Sequence, residues 1–128
     1  MATIKSYTDI SQSKKLAEIL PIESADMWWS RCTITDFGDG VLKVSYAVEP
    51  CNISQFRNTK EDIPCWSLAA LLDILPEGTS LLKSTNILFI GDVKYHCDCP
   101  KGNIDNWFNN PVDACVAMIE KLHELNLL

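Results

Sequence analysis

The chain has 128 residues, 47% of them apolar, with five glycines, six prolines and a formal net charge of −6. That length and apolar share suit one ordinary domain with a real core, and so little glycine and proline excludes a fibrous or low-complexity chain. The acidic balance, with a sequence pI of about 4.7, disfavours direct nucleic-acid binding and anionic membrane surfaces, both of which call for a positive footprint.

The opening MATIKSYTDISQSKKL has no apolar run of signal-peptide length. No stretch approaches the ~20 apolar residues of a membrane span; the block from Ser67 to Leu75 is interrupted by Asp73 and closed by Pro76. The expectation is a cytoplasmic protein, one compact domain over residues 1–128 with a mobile segment through residue 8. In that compartment six cysteines imply thiols, not disulfides.

Thr8-Asp9 opens the first predicted helix, with Asp9 as cap and Gln12 placed for a capping box. Leu16, Ile19 and Leu20 form its apolar stripe and Pro21 stops it. MWWSRCTIT (27–35) is rich in aromatic and β-branched residues and reads as a strand; DFGDG (36–40) is the turn, and 41–49 the return strand, ended by Pro50. Residues 51–62 read as a polar loop. IPCWSLAALLDILP (63–76) reads as a helix apolar on nearly every side, hence a central, buried one, with Trp66 buried at its start. NILFI and VKYHC then flank Gly91-Asp92, a type II′ turn sequence. In that register Leu88 faces Tyr95 and Asn86 faces Cys97. The last helix begins at Asn110-Pro111, cap and first turn, with Asp113 at its positive end. Its stripe is Val112, Cys115, Val116, Ile119 and Leu122.

LAEILPIES (16–24) and LLDILPEGT (71–79) align at an offset of 55, which suggests two αββ units and a closing helix, an αββ-αββ-α repeat. The predicted class is α+β, a mainly antiparallel sheet of two hairpins packed with three helices.

The stretch YHCDCPKGN (95–103) gathers His96, Cys97 and Cys99. Alternation along a strand puts Cys97 and Cys99 on one face with Tyr95, and His96 on the other. Zinc ligands must converge at about 2.0–2.3 Å, so the three diverge unless Pro100-Lys101-Gly102-Asn103 bends the chain and returns a ligand. Cys97 and Cys99 are therefore weak metal or redox candidates, and buried cysteines acting as small hydrophobes are the simpler reading. Cys32 and Cys115 fall on apolar faces, and His123 sits near a helix end where a cation is favoured. DFG at 36–38 lacks every companion motif of a kinase. No nucleophile with a flanking signature, phosphate loop or paired carboxylates stands out, so neither catalysis nor a cofactor is expected.

The aromatic residues offer more. Trp28 and Trp29 are adjacent on a strand and must face opposite ways. Trp107 and Phe108 lie in the polar stretch NIDNWFNNP. Exposed aromatics are favoured interface anchors, which makes Trp29, Trp107 and Phe108 the interaction candidates; the competing reading folds them back over the core.

SKKLAEILPIESADMWW, IPCWSLAALLDILP and NPVDACVAMIEKLHELNLL together resemble a group of small proteins encoded by Bacteroides-type bacteria and by related phages or mobile elements. The resemblance carries no activity and no site residue, and HCDCPKGN lies outside it. It implies a small cytoplasmic accessory protein. The leading expectation is a non-enzymatic module for a protein partner, with no nucleic-acid or membrane contact and a homodimer left open. The alternatives are a metal- or thiol-dependent protein centred on Cys97 and Cys99, and an acidic DNA-mimicking inhibitor.

Overall fold

The computed structural model describes residues 5–35, 42–50, 63–85 and 93–128. Among these the order is α1 (Ile10–Ile19), a 3-10 turn (Ile22–Ser24), β1 (Met27–Thr35), β2 (Leu42–Pro50), β3 (Ile63–Cys65), α2 (Leu68–Ile74), β4 (Ser80–Ser84), β5 (Lys94–Asp98) and α3 (Pro111–Glu124). The fold is α+β, and every described strand pairing is antiparallel. The chain divides into two compact units: Asp9–Trp66, and Ser67–Leu128 together with the N-terminal segment up to Thr8. The expected turn at 36–40, the segment 51–62, the expected strand 86–90 and its turn at 91–92 lie outside the described residues.

In the first unit, α1 starts where the sequence places it. Asp9 accepts from the Gln12 N–H at 2.7 Å, and the Gln12 side chain accepts from the Asp9 N–H at 3.1 Å. This reciprocal box satisfies two of the donors that a helix start leaves orphaned. Leu16 and Leu20 are buried, and α1 packs on β3. The sheet order is β2-β1-β3. Trp28 stands between Glu49 and Pro64, and Trp29 between Val48 and Ile63.

The helix read over 63–76 is corrected. Ile63–Cys65 is a buried strand paired with the start of β1, and α2 covers only Leu68–Ile74. Pro64 explains the break: a proline disfavours helical geometry in the residue before it and is tolerated on an outer strand. Ser67 then opens the helix by accepting from the Ala70 N–H at 3.2 Å. Nor is α2 buried all round, since within it only Leu71 is buried and Leu72 is exposed. Trp66 is buried as expected, but ahead of the helix. Its Nε1–H donates to Ser24 Oγ at 2.9 Å, and that hydroxyl donates to the Pro21 carbonyl at 2.6 Å.

The two segments that align at an offset of 55 share a local geometry. Leu20 N–H donates to the Leu16 carbonyl, as Leu75 does to Leu71. The Ser24 hydroxyl donates to the Pro21 carbonyl and the Thr79 hydroxyl to that of Pro76, both at 2.6 Å. Beyond the proline they part: residues 22–24 form a 3-10 turn, whereas Gly78 takes φ +88° in the turn leading to β4.

In the second unit, α3 is capped by Asn110, whose side chain accepts from the Asp113 N–H at 2.8 Å, with Pro111 in the first turn. Val112, Cys115, Val116, Ile119 and Leu122 are buried as the spacing predicts, joined by Ala114 and Met118. Burying one such large aliphatic side chain contributes roughly 1.5–3 kcal/mol, so this stripe dominates the unit's stability. The helix ends in a Schellman motif: Leu127 N–H donates to the Leu122 carbonyl and Asn126 N–H to that of His123, with Asn126 left-handed at φ 57°. Lys5–Thr8 belong to this unit. The Ser6 carbonyl accepts from the Leu68 N–H at 3.0 Å, and Lys5 Nζ meets Asp113 Oδ1 at 2.9 Å. No described helix is long and apolar enough to cross a membrane.

Candidate functional site

β5 pairs with β4, and the register corrects the expected hairpin. Cys97 stands opposite Leu81, His96 opposite Leu82 and Tyr95 opposite Lys83, so residues of β4 hold the positions that the expected hairpin gave to the segment 86–90. Register follows the buried face: α3 packs against both strands, and this pairing sets Leu81 beside Cys97 on the helix side.

The question raised by YHCDCPKGN resolves as a strand end followed by a reversal. Gly102 N–H donates to the Cys99 carbonyl at 3.3 Å, closing a four-residue turn with proline second and glycine fourth, both favoured in type I. The chain then returns beside β5. Tyr95 and Phe108 exchange both backbone hydrogen bonds, each at 2.8 Å, and Lys94 Nζ donates to Asn109 Oδ1. The bend thus brings back an aromatic pair: Trp107 stacks on His96 with ring centroids 5.1 Å apart, and His96 Nδ1 lies 3.1 Å from the Asn106 carbonyl.

The β4–β5 ribbon has two unlike faces. Toward α3, Cys97 is 2% exposed and Cys99 is buried. On the other face, directly opposite residues fall on the same side, so Leu82 and His96 stand together. Leu82 is 45% exposed and Trp107, stacked on His96, is 38% exposed. Phe108 is half-buried, and Trp29, half-buried on β1, belongs to the other unit. The sequence singles out His96 only as a ligand candidate beside Cys97 and Cys99 and does not single out Leu82; the signal that pairs them on one face exists only once the register is known.

The thiols are arranged by α3. Cys97 and Cys115 share a side-chain hydrogen bond. That bond from Cys115 lowers the Cys97 thiol below its ordinary value, against the opposing effects of burial and Asp98. The same bond, then burial, raises Cys115 far above the thiol range. Among the described residues, no group of three His, Cys, Asp or Glu side chains is placed to hold a metal ion. His123 is exposed in the last turn of α3.

No protein-family model, no curated protein and no solved structure matches this chain.

Proposed function

We propose that this protein is a small cytoplasmic, non-enzymatic interaction module that engages a protein partner through the outer face of the β4–β5 ribbon. One observation carries the reading: Trp107 is 38% exposed while its ring is held in place by stacking on His96. A large aromatic fixed before binding loses little side-chain entropy on docking, which is what an interface anchor needs. Leu82 beside it extends the apolar surface. The polar residues around them, Lys94, Asp98 and Asp105, suit the rim of such an interface. The acidic charge of the chain supports a protein partner over nucleic acid.

The test compares wild-type protein with Trp107→Ala as baits in lysate of the native host, with quantitative mass spectrometry. A partner held by the wild type and lost by a variant that is still fully folded in the capture buffer, as its urea denaturation curve shows, supports the reading. Identical captured sets overturn it.

A further inference from the structure

We infer that the outer face of the β4–β5 ribbon takes an amphipathic helix of its protein partner, laid across the strands with a basic flank toward Asp98 and an acidic flank toward Lys94. The inference rests on the protein-partner reading and adds the partner's secondary structure and charge order.

β5 lies between β4 and the returning segment. Tyr95 pairs with Lys83 of β4 on one edge and exchanges backbone hydrogen bonds with Phe108 on the other. Alternation puts Lys94, His96 and Asp98 together on the outer face of β5. Rows across the ribbon follow from these pairings. The middle row is Leu82, opposite His96, and Trp107, stacked on it. On one side lies Lys94, opposite Ser84 and hydrogen-bonded to Asn109. On the other lies Asp98, opposite Ser80. The returning segment runs antiparallel to β5, so Asp105 stands toward the Asp98 end, where the turn also carries Lys101. The apolar row is thus bordered by a positive row on one side and by a net negative end on the other.

The dimensions suit a helix. Neighbouring strands are about 4.8 Å apart, so the row from Leu82 to Trp107 spans about 10 Å. Apolar positions i, i+3 or i+4, and i+7 of a helix span about 10.5 Å. Same-face residues of a strand are about 6.6 Å apart, and a helix is about 10–12 Å across, so its flanks fall over Lys94 and Asp98. An extended segment fits worse. Its side chains alternate between the ribbon and solvent, which leaves no flank to set over either charged row. The charge order also selects the direction of the helix, because reversal sets like charges together.

The test selects binders on immobilised wild-type protein from two displayed libraries, one on a fixed helical scaffold and one of random linear peptides. Trp107→Ala is the control. The expected Trp107-dependent binders come from the helical library. They carry apolar residues at i, i+3 or i+4 and i+7, with Lys or Arg on one flank and Asp or Glu on the other. A variant with Lys94→Glu and Asp98→Lys together binds a synthetic copy of the best helix at least about tenfold more weakly, and a copy with its flanks exchanged recovers the loss. The selection itself stands even where that variant does not fold. Trp107-dependent binders that are linear, or that show no flank preference, overturn the helix proposal and leave the protein-partner reading standing. Binders from both libraries that ignore Trp107 overturn both.

Discussion

His96 and Trp107 stack at 5.1 Å because the chain reverses through Cys99–Gly102 and re-pairs with β5 at Phe108. The strand supplies one ring and the returning segment the other. The backbone bonds between Tyr95 and Phe108 fix their spacing without help from either ring. Trp107→Ala is therefore expected to cost about 1 kcal/mol of stability, the scale of one aromatic pair, and to leave the protein folded. Urea denaturation followed by circular dichroism checks it, and a loss of several kcal/mol would make Trp107 a core residue instead.

The two ends of the chain and the middle differ in how much of this was legible. Asp9 with Gln12 and Asn110 with Pro111 are caps whose residue types and spacing specify their own geometry, so α1 and α3 were readable from sequence alone. The helix at 63–76 was misread because LAALLDIL dominates its periodicity, while the decisive residue, Pro64, acts on one neighbour's backbone. The β4–β5 register was illegible for a different reason. Gly91-Asp92 advertises a turn locally, but the pairing follows from what α3 buries, and that is a tertiary fact. The coupling of Cys97 to Cys115 is also tertiary: two single cysteines in separate elements give no spacing to recognise.

Gly78 sits at φ +88°, and a Cβ added there would lie 3.0 Å from Pro100 Cγ. Backbone strain and a rigid neighbour act together, so Gly78→Ala is expected to destabilise the protein by about 1–3 kcal/mol. Thermal unfolding measured beside a surface alanine control reads this directly. An unchanged midpoint would mean the turn relaxes freely.

Asn126 ends α3 in the left-handed region, which asparagine tolerates and glycine prefers. Asn126→Gly is expected to leave stability equal or slightly higher, and Asn126→Ala to lower it by about 1 kcal/mol. The ordering Gly, Asn, Ala in urea midpoint is the outcome to check.

The thiol pair makes stability depend on alkaline pH. Cys97 is lowered in the folded state, so between that value and the ordinary thiol value, about 8.5, the folded protein holds fewer protons than the unfolded and stability rises with pH. Cys115 is raised; above the ordinary value the unfolded chain releases a proton that the folded one keeps, and stability falls. Urea midpoints from pH 7 to about 10 should show this maximum in the difference between wild type and a Cys97→Ala/Cys115→Ala double variant.

The measurement closest to the central claim is parallel capture from host lysate by wild-type protein and Trp107→Ala, with urea midpoints recorded on the same samples. The expected result is a protein partner retained by the wild type and reduced at least about tenfold by the variant, the effect of losing some 1.4 kcal/mol of binding, with the variant still fully folded in the capture buffer. Partners captured equally by both would contradict it and remove the β4–β5 face as the interaction surface.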